Sequence, residues 1–349
     1  MHKTPAVHAA TFSAGGATRR GDPVDQCSGV EETTARTFGP VPSRRLGRSL
    51  GINNIPPKHC SYSCVYCQVG PTSPLQTDRE AFYEPEDLAR EVERRKHDAE
   101  AHNEPIDYLT FVPDGEPTLD INLGRAIDLL RPLGIPVAVI SNGSLVSRAD
   151  VRDDLCRADW VSLKVDSVDP ATWRRTNRAH GSLDLDEILD GMVALAAQFT
   201  GLLVTETMLI DQLNDTDTDI EQIAGFLAGL EPATAYLAIP TRPPAEDWVK
   251  PPDADKLTRA HQILSEYVDH VEYLIGDEGT HFSGTGDIEE ELLAITSVHP
   301  MREHQVRDLV RKAGADWSAV QGLVERGLLQ VTRYRGARFY VRRITPVRH

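Results

Sequence analysis

Residues 58–70 of this 349-residue chain read KHCSYSCVYCQVG and place three of its five cysteines within eight positions. The spacing is C-x3-C-x2-C, with Cys60, Cys64 and Cys67 as candidate metal ligands. A structural zinc site closes a tetrahedron with four protein ligands. Here the fourth would have to be His59, Cys27 or Cys156. His59 adjoins Cys60, and neighbouring side chains diverge. Cys27 lies in an N-terminal stretch without apolar periodicity, and Cys156 lies on a helix candidate far along the chain. An iron–sulfur cubane can instead leave one iron to an exogenous ligand, which suits three thiols in one short loop. Zinc and unbound structural cysteines remain the alternatives on spacing alone.

Other polar side chains with chemical potential stand on or just after apolar runs. In WVSLKVD (160–166) side chains alternate between faces, so Ser162, Lys164 and Asp166 share one face and Val161, Leu163 and Val165 the other. In VTETML, Thr205 and Thr207 take one face and Glu206 the other. Arg242, in PTRPP, sits in a rigid loop from which a guanidinium can grip a carboxylate or phosphate. Lys164, Asp166 and Arg242 are therefore the catalytic candidates, against the plain readings of a buried ion pair and a surface arginine. VPSRRLGRS adds Arg44, Arg45 and Arg48 just before the cysteine loop, either as a solvated run or as a site for an anionic substrate.

These residues must be positioned by the elements around them. Strand candidates are 49–54, 106–112, 135–141, 160–166, 202–210, 234–239 and 271–275, and helix candidates are 86–102, 122–132, 148–156, 184–199, 217–230 and 254–268. Strand–helix alternation at this spacing predicts a parallel sheet of βαβ units. About six units give an α/β fold with an open or partial barrel; a doubly wound sheet is the alternative. Residues 1–36, rich in Ala, Gly, Thr and Ser, read as a disordered tail. The barrel is expected over 37–278, a Gly/Ser-rich linker over 279–287, and a small C-terminal domain over 288–349. There, three short helices and two strands joined at Arg335-Gly336 match the order of a winged helix-turn-helix.

The cysteine loop, with Tyr66 just before its last cysteine, resembles the signature of the radical S-adenosylmethionine enzymes. The resemblance covers about residues 37–285. It implies a partial (β/α)6 TIM-type barrel, a [4Fe–4S] cluster held by Cys60, Cys64 and Cys67, and S-adenosylmethionine as the ligand of the fourth iron. In that family one electron cleaves the sulfonium, and the 5′-deoxyadenosyl radical abstracts hydrogen from substrate. PDGEPTLD resembles the family's G-G-E-P segment, whose backbone binds the methionine amino group; Gly115, Glu116 and Pro117 carry over, while Asp114 replaces the first glycine. ISNGSL offers Ser141 and Asn142 as ribose-contacting candidates, and Tyr66 joins the cofactor-binding set. Taken singly, these last segments are strand-end turns. Following the cysteine loop in barrel order, they read as binding segments.

A closer kinship is carried by FGPVPSRRLGRSLGINNIPPKHCSYSCVYCQVG, TRPPAEDWV and GTGDIEEELL, which resemble a poorly characterised subgroup related to the wyosine-forming tRNA synthases. It implies a modified nucleoside as substrate, with tRNA the most economical choice, while the residues themselves suit a small anionic metabolite equally. A one-electron donor of flavodoxin or ferredoxin type is the implied partner, and the enzyme is expected to be a monomer.

Bulk composition narrows the alternatives. A net charge of −16 excludes a general nucleic-acid coat but not a local basic patch. Residues 288–349 carry 11 Arg and Lys against 7 Asp and Glu, a local +4, and RYRGARFYVRR holds five of those arginines. The competing reading is thus a cluster-bearing regulator that binds nucleic acid through its C-terminal domain. No apolar run reaches the roughly 18–20 residues of a membrane span, and an odd cysteine count points to a reducing, cytoplasmic location.

Overall fold

The computed structural model describes residues 36–275 and 287–343. The expected tail and linker fall almost wholly outside these, as does Cys27. The chain opens with an antiparallel pair, β1 (Thr37–Ser43) and β2 (Gly47–Ile52). It continues through α1 (Pro85–Ala101), β3 (Tyr108–Phe111), α2 (Leu123–Leu130), β4 (Val137–Ser141), α3 (Ala149–Leu155) and β5 (Trp160–Lys164). Then come α4 (Pro170–Asn177), α5 (Leu185–Gln198), β6 (Leu202–Met208), α6 (Asp217–Leu230), β7 (Thr234–Ala238), α7 (Ala254–Ser265) and β8 (Val271–Leu274). The eight strands form one sheet in sequential order, parallel from β2 to β8, curled into an open half-barrel. Six βα steps lead to a seventh parallel strand, so the expected barrel is present and the doubly wound alternative, which needs a reversal of strand order, is not.

The alternation that sets the strand faces also sets the two cores. Val161, Leu163 and Val165 join Leu109, Phe111, Val137 and Val139 beneath the helices. Trp160, Val204, Tyr236 and Ala238 point the other way and fill the barrel interior. Helix starts are capped by their own side chains: Asp184 accepts from the Asp186 and Glu187 amides at 3.0 and 3.3 Å, and Thr216 with Asp219 forms a capping box.

Two elements of the barrel were not expected. β1 carries Pro40 and Pro42, which a strand tolerates only at a sheet edge, where β1 lies. It is anchored by Phe38, whose ring lies over Gly51; a Cβ at Gly51 would stand 2.0 Å from the ring. The second is α4, which begins at Asp169-Pro170, with the Asp169 carboxylate accepting from Thr172 N at 2.8 Å.

The C-terminal residues form α8 (Ile288–Val298), β9 (Met301–Arg302), α9 (Glu303–Lys312), α10 (Ser318–Glu325), β10 (Leu329–Tyr334) and β11 (Ala337–Arg342), with a sheet in the order β10-β11-β9. The β10–β11 turn is Arg335-Gly336, both at positive φ (46° and 77°), as a two-residue hairpin requires. The expected hairpin is therefore found, with one further short strand. This unit does not stand apart from the barrel. Its core of Leu292, Ile295, Met301, Leu309, Leu323 and Tyr340 is continuous with Phe38 and Val41 of β1. Arg95 of α1 pairs with buried Glu291 at 3.1 Å, and Tyr334 donates to Pro240 O at 3.1 Å.

Candidate active site

A cavity of about 330 Å³ opens where the C-terminal ends of the parallel strands meet the cysteine loop. Cys60, Cys64 and Cys67 line it together with Tyr66, Gly115, Glu116, Ser141, Asn142, Lys164 and Arg242. Pro117 is buried behind this wall, opening a short 3-10 turn, and Asp166 is buried behind Tyr66.

The loop bearing the three thiols is stitched to its neighbours through backbone bonds. Lys58 N donates to Asp114 O at 2.6 Å, and Glu116 N donates to His59 O at 3.0 Å. Gly115 makes this approach possible: its φ is +155°, and a Cβ there would meet His59 O at 2.0 Å. Ser63 N and Val65 N donate to Asn177 O and Thr176 O, each at 3.0 Å, fastening the loop to the end of α4. Glu246 N, beyond β7, donates to Val65 O at 3.1 Å.

Glu116 joins the β3 and β4 ends. Its Oε1 accepts from Thr118 N (3.1 Å), Thr118 Oγ1 (2.6 Å) and Ser141 Oγ (2.7 Å), and its Oε2 accepts from Asn142 N (2.7 Å). Burial pushes its pKa up, against these donors. With both oxygens engaged by the chain itself, its side chain shapes the site rather than reaching out of it.

Burial also raises all three thiols: Cys60 with help from the charge of Glu116, Cys64 to about 12 with help from Asp166, and Cys67 despite nearby Lys58. Without a cation these sulfurs stay protonated, and a metal centre is one group that would supply the charge to ionise them. Among the described residues no three of His, Cys, Asp or Glu converge as a single ion demands; a cubane asks only for one thiolate at each of three corners. His59 packs edge-on against Phe82, with ring centroids 5.3 Å apart, and Cys156 lies at the C-terminal end of α3 against the helix-side core, away from the cavity.

The cavity wall holds charges the sequence did not connect. Glu206 takes Lys164 at 2.6 Å and Arg45 at 2.5 Å. Burial opposes its charge, but the two cations outweigh that and bring its pKa down to about 2. Burial likewise opposes the charge of Lys164, and Glu206 and Asp166 overcome it, holding the ammonium above its usual pKa. Arg45 lies 5.7 and 5.9 Å from the ring centroids of Trp160 and Tyr236. Arg44 also lines the cavity, whereas Arg48 is turned outward toward Glu104 at 3.7 Å.

Asp166, a catalytic candidate from the sequence, accepts from Tyr66 OH, from Asn177 Nδ2 at 2.7 Å and from Met208 N at 2.8 Å. Asp114 is buried and paired with Lys58 Nζ at 3.4 Å, a geometry short of a hydrogen bond; neither carboxylate oxygen receives one among the described residues. Burial, opposed by Lys58, raises its pKa to about 6. Arg242 donates to Gln68 Oε1 at 2.6 Å and His299 Nε2 at 3.0 Å, and Gln68 Nε2 donates to Val298 O at 3.0 Å. Val298 and His299, at the end of α8, thus complete the cavity wall.

Comparison with known proteins extends the site's context. The Radical SAM superfamily profile matches residues 54–227. A UPF0026 protein of Methanocaldococcus jannaschii is 47% identical over 309 residues, covering 88% of this chain and 96% of that protein. An S-adenosylmethionine-dependent nucleotide dehydratase of Flammeovirga pacifica is 25% identical over 186 residues, covering 51% of this chain and 59% of that protein. A solved structure of TYW1 with a lysine-pyruvate adduct bound shares the fold at a TM-score of 0.50 and 18% identity, covering 63% of this chain and 74% of that one.

Proposed function

Because this chain belongs to the radical S-adenosylmethionine superfamily and is an enzyme of that class, we propose that Cys60, Cys64 and Cys67 hold a [4Fe–4S] cluster and that S-adenosylmethionine binds beside it. The observation that carries this reading is the convergence of three half-buried thiols, Gly115, Ser141 and Asn142 on one cavity. Bound there, the cluster and S-adenosylmethionine together supply reductive cleavage of the sulfonium and hydrogen abstraction from a substrate.

The chain's own residues orient and enclose. Asp114, buried next to Gly115 and paired with Lys58 at 3.4 Å, fits the methionine amino group, with the Gly115–Pro117 turn holding the strand end in place. Lys164, kept protonated by Glu206 and 5.4 Å from the Tyr66 ring centroid, fits a carboxylate near the sulfurs. Ser141 and Asn142 edge the region assigned to the ribose, and Arg242 fits an anionic group of the substrate. Asp166 positions Tyr66 and Asn177 rather than reacting.

A nucleotide or tRNA nucleoside is the proposed substrate class. It rests on the cations along the wall, on the sequence kinship to wyosine-forming synthases and on the relative named as a nucleotide dehydratase. We read the C-terminal unit as a winged-helix domain. Its packing on β1 and its share in the cavity wall favour a part in the enzyme over the regulator alternative. A flavodoxin- or ferredoxin-type donor and a cytoplasmic monomer complete the reading; among the described residues no helix is long and apolar enough to cross a membrane.

The cofactor assignment is tested by anaerobic reconstitution with iron and sulfide. The expected protein is brown and oxygen-sensitive, and loses its iron and sulfide on Cys60→Ala, Cys64→Ala or Cys67→Ala but not on Cys156→Ala. Stoichiometric zinc without sulfide contradicts it.

A further inference from the structure

Two side-chain amides reach the sulfurs of the cysteine loop. Asn142, the first residue after β4, donates from Nδ2 to Ser61 Oγ at 3.0 Å and to Cys60 Sγ at 3.5 Å. Asn177, the last residue of α4, donates from Nδ2 to Asp166 Oδ2 at 2.7 Å and to Cys64 Sγ at 3.4 Å. Each amide therefore commits one N–H to a fixed oxygen and turns the other toward a sulfur, which for Asn177 has the Tyr66 hydroxyl beside it at 3.5 Å.

The surroundings allow no other orientation. Asn142 Oδ1 accepts from Ser144 N at 2.8 Å, while its backbone N donates to Glu116 Oε2 at 2.7 Å. Turned over, this amide would set its NH2 against the Ser144 N–H. Ser61 and Ser144, whose hydroxyls share a hydrogen bond at 2.5 Å, hold the two segments together. Asn177 is buried, and its reversed amide would press a carbonyl oxygen on the Asp166 carboxylate. Its backbone O accepts from Ser63 N, so the helix end and the loop move as one.

Hydrogen bonds to ligating sulfurs favour the more negative, reduced form of an iron–sulfur cluster and so raise its reduction potential. We propose that Asn142 and Asn177 are donors to the ligating sulfurs of Cys60 and Cys64 that raise the reduction potential of the cluster. The inference rests on the cluster reading given above. It gives Asn142 a role in addition to edging the ribose region, and it gives α4 a purpose: the helix delivers Asn177 to Cys64.

The test is an anaerobic redox titration of the reconstituted protein, followed by the electron paramagnetic resonance signal of the reduced cluster. Asn142→Ala and Asn177→Leu remove the donors, the latter with little change in volume. Asn142→Ser and Asn177→Ser form a second set, whose shorter hydroxyls end short of the sulfur. Iron and sulfide content at the wild-type level, with a midpoint potential lowered by about 59 mV or more in each variant, a tenfold change in the one-electron equilibrium, is the expected result. Unchanged potentials in cluster-loaded variants overturn the inference and leave the cluster assignment standing. Loss of the cluster from all four variants also overturns it, because the amides then support the loop rather than tune the sulfurs. A wild-type protein that binds no cluster removes the underlying reading, and this one with it.

Discussion

Arg45 from the β1–β2 turn and Lys164 from the end of β5 converge on Glu206, three charges inside the barrel with little solvent to screen them. Breaking such a buried set by removing the only anion costs roughly 3–5 kcal/mol. Glu206→Gln is therefore expected to lower unfolding stability by about that much at pH 7, as measured by urea titration. The sign of its pH dependence follows from the depressed carboxyl. Glu206 stabilises the fold fully above its ordinary value of 4.5, and the contribution is lost as pH falls toward about 2. The gap between wild type and Glu206→Gln should close over that window; a gap constant down to pH 2 contradicts the pairing. The alternation in VTETML separates Glu206 from Thr205 and Thr207, but its partners depend on the register that sets Lys164 opposite Glu206, which only the assembled sheet provides. The thiols were legible because their chemistry and spacing are local. The sulfur contact of Asn177 was not, since it joins residues 113 positions apart.

At the scale of elements, strand–helix alternation was readable wherever apolar periodicity was strong, and all seven expected barrel strands appear, six within tighter bounds and β2 shifted two residues toward the N-terminus. α4 escaped because PATWRRTN is short and polar, with only its Asp-Pro start as a signal. That start is testable. Asp169→Ala removes the carboxylate that accepts from Thr172 N, a change that costs about 1 kcal/mol for a helix cap. A loss of that size in urea titration is expected, together with weaker protection of the Ser63 and Val65 amides in hydrogen exchange, because both bond to the far end of α4. Unaltered protection of those amides would separate the cap from the loop. β1 escaped for the opposite reason: its prolines argue against a strand, and its edge position, which excuses them, is a property of the whole sheet.

At the scale of the molecule, the order of helices and strands after residue 287 was legible, and its docking was not. The surfaces that meet, Phe38 and Val41 against Leu292 and Ile295, lie about 250 residues apart in sequence and show no local signature. Glu291 tests that docking. Its carboxylate accepts from Gly39 N at 3.3 Å and from Arg95 at 3.1 Å, so Glu291→Ala strands a partly buried arginine. A loss of roughly 3–5 kcal/mol is expected, with faster proteolysis between the barrel and the C-terminal unit. Wild-type resistance and stability would contradict a docked unit.

The central claim is that this cavity supports radical chemistry on S-adenosylmethionine. Its most direct test is to reduce the anaerobically reconstituted protein with dithionite in the presence of S-adenosylmethionine and separate the products by chromatography. The account predicts 5′-deoxyadenosine and methionine well above a Cys64→Ala control, even without substrate. An intact [4Fe–4S] cluster that yields neither product above that control contradicts it.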